Sequence, residues 1–317
     1  MKAPIGRMWI TIALLVTLPL SAQAAWPEKP ITITVGYAPG GLVDLLSRAV
    51  ADVMSRNLRQ PVVVENRAGA GGAVASTALM KMPGDGYNLV ATTSTTMTLD
   101  PMVAKLGFGV NDFAYVAAIG EFYDGFFALP ERGWKTLNDA VTAAKSEGHL
   151  NYASTMTIDR MLTGLIAKKN SVKLVPLPTV GGADAITKVL GGHVAFGYNT
   201  GSYYPLAKDG KLQVLALSGK DRIPDLPDVP TLKELGYNVA AVSLIIFVAP
   251  KNTPDDIQVN LAEAFEKAAK DPKVVDLVKQ RGLKPFSEFG KTLTATVRGH
   301  ADENSQLIRE TAADGGR

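Results

Sequence analysis

The chain has 317 residues, of which 46% are hydrophobic and 20% are charged, so a large apolar core is available and intrinsic disorder is excluded. The 33 basic and 30 acidic residues are scattered without a basic stripe, which argues against a nucleic-acid partner. The absence of cysteine excludes disulfides, zinc ribbons, iron–sulfur clusters and thiol nucleophiles. The chain has only three histidines, which leaves few candidates for metal enzymes and histidine-based triads. We expect neither a bound metal nor a cofactor.

The N-terminal segment, residues 1–25, has the pattern of a signal peptide. Basic residues precede an apolar run over residues 8–20, and small residues follow at a cleavage position near Ala24 or Ala25. The run is shorter than the roughly 20 residues that cross a bilayer, which disfavours the alternative of a membrane anchor. The sequence therefore predicts an exported periplasmic protein that is not embedded in the membrane after cleavage.

The first half of the remaining chain alternates strands and helices. Apolar, β-branched runs predict strands and helical spacing of apolar residues predicts helices. In chain order these are strand 31–37, helix 42–57, strand 61–65, helix 73–82 and strand 87–92. Near-continuous apolar strands separated by helices are typical of a parallel sheet that is covered on both faces.

A second series follows. Its strands are predicted over 126–129, 150–153, 174–176, 194–198 and 212–218, and its helices over 137–146, 159–168 and 183–190. A long apolar strand over 241–248 and helices over 254–270, 272–280 and 291–311 complete the chain. We expect the long strand to return to the first unit. This predicts two α/β lobes, residues 26–123 plus 246–317 and residues 124–245, with a cleft between them.

The first candidate binding site is the turn over residues 37–44 (YAPGGLVD), where a strand ends and a helix begins. Helix N-termini expose unpaired N–H groups and a partial positive charge, which favours an anion. A tight strand-to-helix turn without a ligand is the alternative interpretation. The candidate ligand residues here are Tyr37, Pro39, Gly40, Gly41 and Asp44.

Two further segments of the first unit belong with this turn. Residues 66–73 (NRAGAGGA) superficially resemble a dinucleotide fingerprint, but the third glycine is missing. This segment is interpreted as a second anion-facing helix start or as a site of close packing. The hydroxyl-rich residues 92–96 (TTSTT) follow a strand, where open α/β sheets bind ligands. Thr93 and Ser94 are candidate contacts there, and a polar loop is the alternative.

The second unit supplies the opposing candidates. Ser154 and Thr155 follow a strand, and Arg160 opens the next helix, where its guanidinium could hold a carboxylate. An ion pair with Asp159 is the alternative role for Arg160. The glycine turn over residues 179–184 and the end of the strand at 198 add the remaining candidates, Thr179, Gly181, Tyr198 and Asn199.

Catalytic motifs are absent from the sequence. Neither G-x-S-x-G nor H-E-x-x-H occurs, and His149, His193 and His300 lie in predicted turns or on a C-terminal helix. No carboxylate pair suggests glycoside hydrolysis. We therefore predict no catalytic residues and no enzymatic activity.

Six segments occur in an order typical of one family. They are residues 26–31 (WPEKPI), 39–44 (PGGLVD), 64–72 (VENRAGAGG), 83–89 (PGDGYNL), 217–222 (LSGKDR) and 226–236 (LPDVPTLKELG). Over residues 26–308 the chain resembles the extracytoplasmic solute-binding proteins of tripartite tricarboxylate transporters, the Bug family. The resemblance implies a two-domain periplasmic binding protein, a flytrap, that closes on a small organic carboxylate held partly by the Gly40-Gly41 loop. It also implies handover to membrane permease subunits, and we expect a monomer.

Three segments depart from the family pattern: residues 155–160, residues 178–181 and residues 243–245. The first-lobe anchors are therefore retained while the second-lobe wall differs, and Arg160 is our expected replacement contact. Two alternative functions remain. One is a ligand sensor for a membrane kinase, which would use the same fold, and the less favoured one is a periplasmic hydrolase.

Overall fold

Two β-sheets organise residues 26–312, the part of the chain that the computed structural model describes. With strands numbered in chain order, the first sheet runs, in spatial order, β11 (Leu283–Phe289), β4 (Phe113–Phe122), β10 (Leu244–Pro250), β3 (Asn88–Thr93), β1 (Ile31–Val35) and β2 (Val62–Asn66). The second sheet runs β7 (Leu174–Pro178), β6 (Leu150–Ser154), β8 (Phe196–Thr200), β5 (Asp124–Ala128) and β9 (Gln213–Leu217). We call the two sheets with their helices lobe 1 and lobe 2.

The helices cover the sheets and carry most of the connections. In lobe 1 they are α1 (Leu42–Leu58), α2 (Ala73–Leu79), α3 (Ser94–Thr98), α4 (Asp100–Val103), α9 (Asp255–Ala269), α10 (Pro272–Gln280) and α11 (Gly290–Ala312). In lobe 2 they are α5 (Leu137–Glu147), α6 (Thr157–Asn170), α7 (Gly182–Leu190) and α8 (Tyr204–Lys208). Short 3-10 turns precede α2 and α5. The predicted α/β fold in two units is confirmed.

The parallel sheet predicted from the first three strands is confirmed for β1, β2 and β3, but the complete sheet of lobe 1 is mixed. β1 pairs in parallel with β2 and β3, but β10 is antiparallel to both β3 and β4, and β11 is antiparallel to β4. The reason lies in the route of the chain. β10 enters lobe 1 from lobe 2 beside the C-terminal ends of the parallel strands, so it runs in the opposite direction to them.

Two strands have no counterpart among the predicted elements. β4 is buried along its whole length, but its sequence (FAYVAAIGEF) contains alanine and glycine, which have low strand propensity. β11 contains Pro285, which is tolerated because this strand lies at the edge of the sheet, where a missing N–H leaves no partner unpaired.

The chain crosses between the lobes twice. Both crossings lie where the strands of each sheet begin or end, and we call these two sides of the sheets the facing edges. β4 ends at Phe122 and β5 begins at Asp124, while β9 ends at Leu217 and β10 begins at Leu244, two residues before the predicted boundary at residue 246. The strand directions bring the ends of β1, β2 and β3 to this edge in lobe 1, and the ends of β6, β7 and β8 in lobe 2. The loops that carry the candidate residues therefore face one another beside the crossings.

Helix α11 connects the two lobes on one side. Leu293 and Val297 belong to an apolar cluster of lobe 1, whereas Leu307 belongs to the apolar cluster of lobe 2. Between them, the Asn304 amide donates a hydrogen bond of 3.0 Å to the Thr98 hydroxyl. One continuous helix is thus packed against both halves of the molecule.

Within residues 26–312, no helix has the combination of length and apolar character needed to span a bilayer. In the same range, no group of three or more potential metal-binding side chains comes together. The predicted signal peptide lies outside the described residues.

Candidate functional site

The turn between β1 and α1 presents bare backbone to solvent. Gly40 has φ of +83°, a left-handed conformation that disfavours side chains, and no atom lies within 4 Å of where its Cβ would be. Gly41 caps α1 without a side-chain hydrogen bond. No described residue accepts a hydrogen bond from the N–H groups of Gly41, Leu42 or Val43. The start of this 17-residue helix therefore offers several free donors and the positive end of its dipole.

Asp44 lies beneath this turn and holds its shape. Only 2% of its surface is exposed, and its carboxylate accepts hydrogen bonds from the Gly40 N–H at 2.9 Å, Arg48 Nε at 3.0 Å and Asn66 Nδ2 at 2.8 Å. Burial alone would raise the pKa of Asp44, but the hydrogen bonds from Arg48, Gly40 and Asn66 hold that pKa below its ordinary value. The carboxylate is therefore a support for the turn, and the Gly40 N–H is not free for a ligand.

A hydroxyl network lines the adjoining part of lobe 1. The Tyr37 hydroxyl donates to the Gly71 carbonyl at 2.9 Å and lies 3.0 Å from Thr93 Oγ1. Thr96 donates to the same carbonyl at 2.7 Å. These contacts fasten the end of β1, the glycine turn before α2 and the end of β3 to one another. Tyr37 and Thr93 both remain partly exposed.

The glycine turn over residues 66–73 serves close packing. A Cβ on Gly36 would lie 2.8 Å from Gly72 Cα, and a Cβ on Gly72 would lie 2.5 Å from Thr92 Oγ1. Gly72 also has φ of +97°. Of the two interpretations of this segment, the packing one fits the contacts. The backbones of two loops approach so closely that neither glycine has room for a side chain.

Lobe 2 also has a buried aspartate at the start of a helix, as lobe 1 does with Asp44. Asp159 is fully buried and accepts hydrogen bonds from the Ser154 hydroxyl at 2.7 Å, the Thr155 N–H at 2.7 Å and the Met156 N–H at 2.6 Å. Burial raises the pKa of Asp159, and these donors with the nearby Arg160 charge counter part of that effect. The loop from β6 to α6 is therefore held by its own capping residue.

The neighbouring loops of lobe 2 are tied to this one. Thr155 Oγ1 lies 2.9 Å from Thr179 Oγ1, and the Thr179 N–H donates to the Ser154 carbonyl at 2.9 Å. Asn199 is 2% exposed, accepts the Ser202 N–H at 3.2 Å and packs so closely on Gly182 that a Cβ there would overlap its amide. The three loops form one connected polar wall.

Arg160 extends from this wall into solvent. Its guanidinium is exposed and lies 3.4 Å from the Ser154 hydroxyl and 3.5 Å from the Thr157 hydroxyl, both long for hydrogen bonds. The structure gives it no ion pair with Asp159 within 4 Å. The guanidinium therefore keeps donors available, and its charge acts on Asp100 of lobe 1.

The predicted site residues lie at the two facing edges, but they differ in how much of each residue is exposed to solvent. The exposed or half-exposed ones are Tyr37, Pro39, Gly40, Gly41, Thr93, Thr155, Arg160, Thr179 and Gly181. The buried ones are Asp44, Ser94, Ser154, Tyr198 and Asn199. The Ser94 hydroxyl accepts the Leu244 N–H at 3.0 Å, and the Tyr198 hydroxyl lies 2.9 Å from Ser218. In this conformation the buried residues support the edges rather than offer ligand contacts.

Asp100 also lies at this site and is not among the residues predicted from the sequence. Only Leu99 separates it from α3, and it is the first residue of α4, with Pro101 next in the chain. An aspartate before a proline at a helix start is a recognisable sequence signal. That signal predicts a helix start, however, and gives no indication that the residue faces another lobe.

The family model for the tripartite tricarboxylate transporter family receptor, TctC, matches residues 46–312. The chain belongs to this family. A Cupriavidus necator protein described as a "UPF0065 protein in gbd 5'region" is 32% identical over 277 residues, which cover 86% of this chain and 84% of the relative. The predicted family resemblance is therefore confirmed.

Solved structures share the fold of this chain. A protein described as a periplasmic transporter has a TM-score of 0.79 and 26% identity, covering 90% of this chain and 98% of its own. MatC from Rhodopseudomonas palustris, solved with bound malate, has a TM-score of 0.76 and 23% identity, covering 89% of this chain and all of its own. The two-lobed periplasmic-binding-protein fold expected from the sequence is confirmed.

Proposed function

We propose that this TctC-family receptor is exported to the periplasm, binds a small organic carboxylate between its lobes as a monomer, and delivers it to the permease subunits of a tripartite transporter. The two lobes of this proposal are residues 26–123 plus 246–317 and residues 124–245. The observation that carries it is the start of α1, where no described residue accepts a hydrogen bond from the N–H groups of Gly41, Leu42 or Val43. The malate in MatC supports the same class of ligand.

The geometry supports binding by backbone amides on one lobe and side chains on the other. A carboxylate at the start of α1 would accept from N–H groups at the positive end of a 17-residue helix. The Tyr37 hydroxyl network would border it, and Arg160 and Thr155 would approach from lobe 2 when the lobes close. Binding without turnover is expected, because the family is one of transporter receptors.

A substitution at the first position of α1 tests the backbone contact. Proline at this position keeps helical geometry and removes the N–H together with the leucine side chain. Gly41 before it already has the extended conformation that proline requires. We expect Leu42→Pro to weaken binding of the best carboxylate about tenfold or more, because a hydrogen bond to a charged group contributes about 1.5–3 kcal/mol. Isothermal titration calorimetry measures the affinity after a thermal-shift screen of mono-, di- and tricarboxylates.

Leu42→Ala is the matched control, because it removes the same side chain and keeps the N–H. It should retain the affinity to within about threefold. Equal losses in the two variants would show that the leucine side chain, and not the amide, matters. A screen in which melting ignores every organic acid and responds to sugars would overturn the carboxylate class altogether. Consumption of the bound ligand would instead favour a hydrolase.

Arg160 provides a second test on the opposite wall. We expect Arg160→Ala to weaken carboxylate binding at least tenfold, and Arg160→Lys to recover part of the loss, because lysine keeps the charge but not the paired donors. Arg132→Ala is the control, since Arg132 is exposed beyond the far end of β5 and contacts Trp134. Calorimetry on the three variants checks this. Unchanged affinity in Arg160→Ala would reject the proposed role.

A further inference from the structure

Asp100 differs from Asp44 and Asp159, the two buried aspartates that hold the helix starts at the facing edges. Asp44 and Asp159 each accept hydrogen bonds from at least three donors. No described residue donates a hydrogen bond to the Asp100 carboxylate, although it is half-buried. Burial raises the pKa of Asp100 to about 6, and the opposing charge of Arg160 counters only part of that rise. Its acceptor capacity is unused.

The position of Asp100 places this carboxylate within the proposed binding site. A Cβ on Gly71 would lie 3.6 Å from Asp100 Oδ2, and the Gly71 carbonyl is the acceptor shared by Tyr37 and Thr96. The preceding residue, Leu99, belongs to the apolar cluster of lobe 2. Asp100 therefore borders the hydroxyl network on one side and the second lobe on the other.

The site offers both hydrogen-bond donors and an acidic acceptor, which suits a ligand that carries both an anionic group and a donor group. The amides of α1 and the Arg160 guanidinium are donors, and they suit a carboxylate. Asp100 is an acceptor, and lobe closure would take water from its half-buried carboxylate, so a donor on the ligand would be favourable there. A plain dicarboxylate would bring a second negative charge toward Asp100, which costs more as the lobes close and water leaves.

We propose that the ligand is a carboxylate that also carries a protonated nitrogen, and that Asp100 is the residue that selects it by accepting a hydrogen bond from that nitrogen. The inference rests on the proposed function of the same cleft and narrows its substrate class. The carboxylate end is bound by the α1 amides and Arg160, and the nitrogen end by Asp100.

The experiment compares acids that differ only in an amino group. The pairs are aspartate with succinate, glutamate with glutarate, and phenylalanine with 3-phenylpropionate, measured by calorimetry on the whole mature protein. For at least one pair, the amino member should bind at least tenfold more tightly. Asp100→Asn should reduce that ratio at least tenfold, because the amide no longer attracts a cation. Asp256→Asn is the control and should keep the ratio. Asp256 lies in the first turn of α9, beside the N-terminal end of β3 and so far from the facing edge of lobe 1.

Two results would overturn the inference while leaving the proposed function intact. One is that every plain acid binds as tightly as its amino partner. The other is an amino preference that survives in Asp100→Asn. Asp100→Ser provides a second measurement if the asparagine variant does not fold, since serine also suits a helix start. Failure of all carboxylates to bind would overturn the proposed function and this inference together.

Discussion

Replacing Gly72 with alanine is expected to lower the free energy of unfolding by about 3 kcal/mol. Gly72 has φ of +97°, and a side chain in that region costs about 1–2 kcal/mol. The new Cβ would also lie 2.5 Å from Thr92 Oγ1 in a buried part of the lobe 1 sheet, and such overpacking costs about 1–3 kcal/mol. Equilibrium urea unfolding, followed by circular dichroism, measures the loss.

Gly40 and Thr92 provide the controls that separate these two causes. Gly40→Ala has the same kind of backbone strain with φ of +83°, but no atom lies within 4 Å of its Cβ, so a loss of about 1 kcal/mol is expected. In a Thr92→Ala background, the cost of Gly72→Ala should fall toward that of Gly40→Ala. Equal losses at the two glycines would contradict the close contact between Gly72 and Thr92.

Replacing Asp159 with alanine is expected to lower the free energy of unfolding by about 3 kcal/mol. The carboxylate is fully buried and accepts the Ser154 hydroxyl and the N–H groups of Thr155 and Met156. Removing it leaves three donors without their acceptor, and each unsatisfied buried donor costs about 1–3 kcal/mol before relaxation and access of water reduce the sum. Thermal and urea unfolding measure the effect.

Asp184 is the matched control for Asp159. It occupies the corresponding position in α7, but it is partly exposed and its partners are the Val180 N–H at 3.1 Å and Lys188. Water replaces these contacts readily, so Asp184→Ala should destabilise the protein much less. Carboxylate affinity should also fall in Asp159→Ala, because the loop that carries Thr155 loses its anchor. Equal stability losses in the two variants would argue against a special role for the buried cap.

The regular elements with a continuous local signal were predictable. The run ITITV and the apolar spacing that follows it gave a strand and a helix close to β1 and α1. β4 was missed because its alanines and Gly120 resemble no strand until β10 and β11, both distant in the chain, cover them. The antiparallel direction of β10 was also missed, because it depends on where the chain leaves lobe 2 and not on the residues of the strand.

The candidate site was predictable in part for the same reason. Strand-to-helix turns that contain glycine can be recognised in the sequence, and the turns at Gly40 and Gly181 do lie at the facing edges. The sequence does not show which of these side chains are buried. Ser94 and Tyr198 were therefore predicted as ligand contacts, although their hydroxyls form hydrogen bonds within the protein. Asp100 was passed over because its surroundings come from Gly71 and from Arg160 of the other lobe.

The position of β10 affects how the molecule is made. A chain that is synthesised from its N-terminus delivers β3 and β4 long before β10, which separates them in the finished sheet. Until residue 250 arrives, both strands have an unpaired, apolar edge, and such edges are templates for aggregation. The five strands of lobe 2, by contrast, are complete at residue 217. Lobe 2 therefore has all of its strands before lobe 1 does, and we expect the incomplete first lobe to be the part of the nascent chain that needs protection.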